Sequence, residues 1–335
     1  MAVVYIREQG TTLTKAGDRL RVMRGGHTLL DKPVFGIESV ALFGNVQISS
    51  QALWMLMERG VDISYFTYDG KYLGHTASDT SRNIFLRMQQ YDLYMDLEKR
   101  DAIAKRIVAN KIENQISVIE NYDWDGDFDW KSDTEEMRRH LAGLADKTGQ
   151  QSLMGVEGIC SNIYFHSYGQ MFKCDMEFEK RTRRPPKNPI NVILSLAYTL
   201  LTKEVAMVLT AESFETHLGF LHGIRYGRKS LALDLVEEFR QPVVDRLVLK
   251  VFNKGIIGKY DFDYPEGRPV EFNEDGFRRF CTAYEHWMNG SDAASSEKCF
   301  RSRIREQASA LKKAVVSREA YLPYSWEDRN VCGLL

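Results

Sequence analysis

Glu157 stands between two glycines in an otherwise apolar helical pattern, in the run Gly155-Val156-Glu157-Gly158. A glycine costs about 1 kcal/mol relative to alanine inside a helix, so two glycines here need a reason. One reason is the close approach of another backbone or of a substrate. The alternative is tight helix packing with the carboxylate in solvent, and this segment taken alone favours that alternative.

A histidine and a group of acidic residues follow later in the chain. His222 comes directly after an apolar run, where a lone histidine is more often a hydrogen-bonded structural residue. Asp234 lies three residues before Glu237 and four before Glu238, so on a helix it shares a face with each of them. Such carboxylates are typical of a solvated acidic surface, but they are also useful beside a cation.

One histidine and two or three carboxylates suit a hard or borderline cation such as magnesium or manganese. Two other kinds of site fit less well. The aspartate-rich segment 122–131 lacks the glycine position and the terminal glutamate of a calcium loop, so we interpret it as an exposed loop. The five cysteines form no CxxC pair, which argues against a zinc ribbon and a disulfide framework.

A basic segment indicates a possible partner. Residues 180–187 carry five positive charges, and Arg183, Arg184 and Lys187 are the residues expected to contact DNA phosphates. The alternative is a solvated linker. The whole chain has 45 Lys and Arg against 46 Asp and Glu, so its net charge of −1 does not itself favour nucleic acid. Phosphate binding depends on local charge density, however, because charges act over about a Debye length.

The elements that must position these residues change character along the chain. Residues 1–78 read as mainly β, with hairpin signals at Gly25-Gly26 and Gly44-Asn45. Residues 79–330 show helical periodicity, with Asn188-Pro189 as a helix start and Ser230 as a cap for the helix of Asp234. The sequence therefore predicts an α+β protein, in which a small N-terminal β domain (1–78) precedes a larger all-α domain (79–330).

Bulk composition excludes several classes of protein. Apolar residues make up 44% and charged residues 27% of the 335-residue chain, which is ordinary for a globular protein. The apolar stretches are shorter than a membrane span, and the first residues lack the layout of a signal peptide. We therefore expect a cytoplasmic protein.

Four segments, in order along nearly the full length, resemble the CRISPR-associated integrase of bacterial adaptation, of the subtype I-C kind. Relatives often have aspartate where this chain has Glu237, and residues 331–335 match no pattern of the family. The segments that carry the resemblance are PVFGIESVALFGNVQISSQAL, GVEGICSNIYF, RRPPKNPINVILSLAYTLL and HLGFLHGIRYGRKSLALDLVEEFRQPVVDR.

The resemblance implies a β-sandwich followed by a helical catalytic domain, a homodimer, and a second, small adaptation protein as partner. It implies that Glu157, His222 and Glu237 bind a magnesium or manganese ion and that Asp234 supports them. The implied activity is a metal-dependent DNA endonuclease and integrase, which inserts captured foreign DNA into the CRISPR array by attack of a 3′ hydroxyl group. The alternative is a metal-dependent nuclease that cuts branched or single-stranded DNA without integration, and the same ligands would serve it.

Overall fold

The chain divides into two compact units, Met1–Thr80 and Ser81–Leu335. The computed structural model describes residues 2–76, 83–182, 186–266, 269–290 and 299–326. The predicted domain boundary, between residues 78 and 79, lies outside the described residues.

The N-terminal unit is built mainly of strands, which form two sheets. One sheet has the order β1-β5-β7-β8, in which β1, β5 and β7 run parallel and β8 runs antiparallel to β7. The other has the order β4-β3-β2-β6, in which β6 runs parallel to β2. The elements are β1 (Ala2–Ile6), β2 (Thr11–Ala16), β3 (Arg19–Arg24), β4 (His27–Pro33), β5 (Ile37–Phe43), β6 (Val46–Ile48), α1 (Ser50–Glu58), β7 (Asp62–Phe66) and β8 (Tyr72–Thr76).

Both sheets and α1 contribute side chains to a single hydrophobic core, which includes Leu13, Val40 and Leu56. The predicted hairpin at Gly25-Gly26 is confirmed: both glycines have positive φ and join β3 to β4. Helix α1 is capped at Ser49, whose side chain accepts the N–H of Ala52.

The C-terminal unit is predominantly helical. Its elements are α2 (Ile84–Met95), α3 (Leu97–Glu120), α4 (Trp130–Ala142), α5 (Gln150–Gln170), α6 (Pro189–Ala211), α7 (Ser230–Val236), a π-helix (Arg240–Asp245), α8 (Arg246–Asn253), a 3-10 turn (Lys259–Asp261), β9 (Phe262–Asp263), β10 (Glu271–Phe272), α9 (Glu274–Asn289) and α10 (Phe300–Ser317). The predicted α+β fold with a helical C-terminal unit is confirmed, and β9 and β10 add a short antiparallel ribbon to that unit.

The core helix of this unit is α6. It begins as the sequence predicts, with Asn188 accepting the N–H of Asn191 and Pro189 in the first turn. By length and composition, α6 is the one helix within the described ranges that would be able to cross a membrane. Most of its apolar stretch is buried inside the fold, as in the core helix of a globular domain.

Candidate active site

Three elements of the C-terminal unit meet around one ammonium group. Lys111, on α3, forms an ion pair with Glu157 on α5, and its Nζ also lies 2.6 Å from Oε2 of Glu237, which directly follows α7. Lys111 and Glu237 are almost completely buried, whereas the side chain of Glu157 keeps 23% of its exposure. The structure thus brings together two of the three predicted ligands.

Both carboxylates carry a negative charge at neutral pH. Burial by itself would raise the pKa of Glu157, but the charge of Lys111 and the hydrogen bonds from Lys111 and Ser161 together hold that pKa below its ordinary value. Burial also opposes ionisation of Glu237. There the charges of Arg240 and Lys111 prevail and lower the pKa to about 2.

One oxygen of this pair has cations close by but no directed bond. Oε2 of Glu237 lies 3.0 Å from Nε of Arg240 and 2.6 Å from Nζ of Lys111. It is buried, yet it makes no hydrogen bond of acceptable geometry with any described residue. A buried carboxylate oxygen without a directed partner, beside a second ionised carboxylate, fits a divalent cation.

Asp234 fixes the loop that carries His222. Its buried carboxylate accepts the backbone N–H groups of Phe220, Leu221 and His222. Oδ1 of Asp234 also lies 2.8 Å from Nδ1 of the His222 ring. This carboxylate–imidazole pair sets the ring orientation and leaves Nε2 as the nitrogen for a ligand.

A glycine lets this loop close. A Cβ on Gly219 would lie 2.7 Å from the backbone carbon of Ser230 and 2.8 Å from Oδ2 of Asp234, so a side chain would displace the turn. Ser230 does not cap α7 as the sequence predicted. Its hydroxyl instead donates to the backbone oxygen of Gly223 and ties the two ends of the loop together.

The two glycines beside Glu157 have a different setting. A Cβ at Gly155 or Gly158 would meet no described atom within 4 Å, so the expected close approach of another backbone is absent from the described part of the chain. Gly155 is exposed and Glu157 is half-buried. The helix surface around the carboxylate is therefore open to a substrate.

His222 does not join the two glutamates in a single cluster. Within the described ranges, no three His, Cys, Asp or Glu side chains are close enough together to hold a metal ion. Glu157, His222 and Glu237 are therefore not gathered into one such group in the described part of the chain, and their role as metal ligands stays a prediction. His222 is nevertheless close enough to Glu237 to help lower its pKa. Lys111 supplies the positive charge between the carboxylates.

The acidic group after Ser230 is not a solvated surface, contrary to one interpretation of the sequence. Asp234, Glu237 and Glu238 are 1%, 4% and 0% exposed. Burial raises the pKa of Glu238 to about 8. Glu238 accepts hydrogen bonds from a segment far along the chain, from the hydroxyl of Tyr321 and from the backbone N–H of Tyr324.

Tyrosine side chains hold the π-helix that follows Glu237 in the chain. Asp245 is fully buried and accepts the hydroxyls of Tyr164 and Tyr198, while its backbone oxygen accepts that of Tyr168. Burial raises the pKa of Asp245 to about 6. Arg240, at the other end of the π-helix, lies 4.6 Å above the ring of Tyr198. These contacts fix the segment that follows Glu237.

The predicted DNA contacts are described only in part. Arg183 and Arg184 lie outside the described residues, and Lys187 is exposed. Arg181 is occupied within the fold, because it donates to Asn191 over 2.8 Å and to Ser195 over 3.0 Å. The basic segment is thus partly structural.

Sequence reasoning missed Lys111 and Arg240. A signal for Lys111 exists, since it lies four residues after Ile107 on the buried face of α3. A charged residue on such an apolar face calls for a buried partner of opposite charge. Arg240 lies three residues after Glu237, a spacing that allows an ion pair, but nothing local distinguishes it from a surface arginine.

A sequence model described as CRISPR associated protein Cas1 matches residues 4–286. The chain belongs to the Cas1 family. The Thermus thermophilus protein named CRISPR-associated endonuclease Cas1 3 is 33% identical over 291 residues, which cover 86% of this chain and 85% of that relative. Membership in the Cas1 family makes this chain an enzyme of the CRISPR-associated endonuclease class.

Solved structures agree with this assignment. A Cas1 protein from Thermotoga maritima has a TM-score of 0.84 at 25% identity, over 97% of this chain and 100% of that chain. A casposase solved with its integration product has a TM-score of 0.86 at 21% identity, over 99% and 96% of the two chains. The casposase therefore shares the fold of this chain.

Proposed function

We propose that this Cas1 protein is a metal-dependent DNA endonuclease and integrase that inserts captured foreign DNA fragments into a CRISPR array. The observation that carries the proposal is the pair of ionised carboxylates, half-buried Glu157 and buried Glu237, beside a histidine that Asp234 orients. The family assignment supports it, and so does the similarity to a casposase solved with its integration product.

Glu157, Glu237 and Nε2 of His222 would hold a magnesium or manganese ion, with Asp234 in support. When bound, the ion lowers the pKa of the attacking hydroxyl and stabilises charge on the transferred phosphoryl group. Lys111 holds the two carboxylates beside each other by offsetting their repulsion. Asp234 keeps the imidazole of His222 in one orientation, which limits the rearrangement that binding requires.

The proposed reaction is a transesterification. The 3′ oxygen of the captured fragment forms a new bond to a phosphorus atom at the edge of the repeat, and the bond from that phosphorus to the neighbouring 3′ oxygen breaks. The proton of the attacking hydroxyl goes to solvent, and the departing oxygen takes one up. The protein supplies no covalent nucleophile, so its contribution is positioning and charge stabilisation.

Several finer assignments belong to the same proposal. The chain would act as a homodimer in the cytoplasm, in a system of subtype I-C. Arg183, Arg184 and Lys187 would contact phosphates of the captured duplex and of the repeat. A second, small adaptation protein would be its partner, because a chain of similar fold was solved in a complex of Cas6-RT-Cas1 with Cas2.

The form of the product tests the proposal. Purified protein and its small partner would be incubated with an end-labelled duplex, a supercoiled plasmid bearing the repeat, and manganese. We expect label joined covalently to the plasmid. A plasmid that is cut but never labelled would contradict integration and would favour the nuclease that only cuts DNA.

A further inference from the structure

The family match ends at residue 286, but the described chain continues with α10 and then a segment without regular structure. We call residues 321–326 the C-terminal strap. Two of its aromatic side chains, Tyr321 and Trp326, are 2% and 8% exposed, although the segment belongs to no helix or strand. The strap is therefore part of the core of the C-terminal unit and lies outside the region that the family model covers.

The strap binds both oxygens of Glu238, the residue next to Glu237. The hydroxyl of Tyr321 donates to Oε1 over 2.5 Å, and the backbone N–H of Tyr324 donates to Oε2 over 2.8 Å. The ring of Tyr324 also stacks on Phe239, with centroids 4.9 Å apart and planes 8° from parallel. Residues 238 and 239 are thus held by a segment more than eighty residues away along the chain.

Asn114 joins the strap to the helix of Lys111. Its Nδ2 donates to the backbone oxygen of Glu238 over 3.1 Å, and its Oδ1 accepts the N–H of Trp326, also over 3.1 Å. Asn114 lies three residues after Lys111, so the two side chains occupy one face of α3 a single turn apart. Helix α3 therefore contacts the two carboxylates through Lys111 and, one turn later, the strap through Asn114.

These contacts matter because Glu237 and Glu238 lie between two regular elements. Helix α7 ends at Val236 and the π-helix begins at Arg240, and the residues between them form turns whose backbone N–H groups donate to the last carbonyls of α7. The strap adds contacts to the side chains of residues 238 and 239 that these backbone hydrogen bonds do not supply. It also reaches the next helix, since the guanidinium of Arg246 lies 4.1 Å above the ring of Trp326.

We propose that the C-terminal strap is a latch that positions Glu237, with Tyr321, Tyr324 and Asn114 as positioning residues for the reaction. The latch acts through Glu238 and touches neither substrate nor metal. This inference rests on the proposed role of Glu237 as a metal ligand. It assigns a functional role to a segment beyond the matched region of the family.

The test compares two tyrosine-to-phenylalanine variants of the full-length protein. Tyr321→Phe removes the hydrogen bond that its hydroxyl donates to Glu238 and the one that it accepts from Gln307, and it keeps the ring. Tyr122→Phe is the matched control, because its buried hydroxyl also donates one hydrogen bond, to the backbone oxygen of Met171. Both variants lose a buried tyrosine hydrogen bond, so each should lower the midpoint of thermal unfolding.

Manganese binding, measured by isothermal titration without DNA, separates positioning from general stability. We expect Tyr321→Phe to weaken manganese binding about tenfold, as losses around metal ligands do, and to lower kcat of strand transfer at unchanged duplex affinity. Tyr122→Phe should leave manganese binding and kcat as in the wild type. Asn114→Ala should act like Tyr321→Phe and add little to it in the double variant.

Glu237→Ala distinguishes a failure of this inference from a failure of the proposed function. If Glu237→Ala abolishes manganese binding while Tyr321→Phe and Asn114→Ala leave it unchanged, the latch is wrong and the metal site stands. If Glu237→Ala itself leaves manganese binding unchanged, the proposed metal site is wrong, and the latch loses its purpose with it.

Discussion

Nζ of Lys111 lies 2.6 Å from Oε2 of Glu237 and forms an ion pair with Glu157 as well, so one buried ammonium group stands between two carboxylates from different elements. Two ionised carboxylates repel each other strongly where little water is present. Lys111 makes their close approach stable in the protein without metal. The lysine is thereby part of the resting site, although it is not one of the proposed ligands.

Removing this charge should destabilise the protein. Lys111→Met should lower the free energy of unfolding by about 3–5 kcal/mol, because buried Glu237 and half-buried Glu157 would lose their shared partner. Thermal unfolding with and without manganese measures the effect, and manganese should raise the midpoint of the variant more than that of the wild type. Lys99→Met, at an exposed surface pair on the same helix, is the control. Equal midpoints for both variants would contradict the shared role of Lys111.

Asp234 should act on activity through His222. Asp234→Asn keeps the shape of the side chain but replaces a charged acceptor of three backbone N–H groups and one imidazole. We expect strand transfer to fall about 10- to 100-fold, with unchanged duplex affinity. Asp133→Asn is a matched control, since Asp133 accepts from the exposed His166 in a similar pair. A fall of the same size in both variants would argue against a specific role for Asp234.

Glu238 should make the protein less stable as the pH rises. Burial raises its pKa from an ordinary value of 4.5 to about 8, so between these pH values the native state binds more protons than the unfolded chain. The free energy of unfolding therefore falls with rising pH across that window. Glu238→Gln cannot ionise, and its unfolding midpoint should vary less between about pH 5 and about pH 8. Parallel pH profiles for the two proteins would show that Glu238 does not titrate in this way.

The basic segment should contribute to DNA affinity. Charge reversal at Arg183 and Arg184 should weaken binding of a duplex and reduce its dependence on salt, by about 0.9 in the logarithmic slope for each lost phosphate contact. Fluorescence anisotropy at several salt concentrations measures both quantities. Lys147→Glu, at an exposed residue outside the segment, is the control. An unchanged slope would contradict phosphate binding by this segment and would favour the alternative, in which residues 180–187 are a solvated linker.

Local patterns predicted much of the fold. Gly25-Gly26 marks the turn between β3 and β4, and Asn188-Pro189 starts α6, because both signals act within a few residues. Local patterns predict less of the candidate site. Only the resemblance to a family joins Glu157 and Glu237, since each segment taken alone is more typical of a solvated surface.

The burial of Glu238 shows why local sequence patterns do not predict the rest of the site. Its sequence neighbours predict an acidic surface, but the segment that covers it, residues 321–326, lies far along the chain. Lys111 is a similar case, because its partners come from α5 and from the end of α7. Contacts between residues so far apart in the chain depend on how the helices pack. The local hydrophobic periodicity of the sequence does not contain that information.

The most direct test of the metal mechanism is strand transfer by Glu157→Ala and Glu237→Ala, measured beside duplex binding and with and without EDTA. Both variants should fail to join strands while binding DNA as the wild type does, because the carboxylates would hold the metal and the phosphate contacts come from cations elsewhere. Glu135→Ala, at an exposed glutamate on α4, should join strands normally. Joining of strands by Glu157→Ala in the presence of EDTA would contradict the metal mechanism.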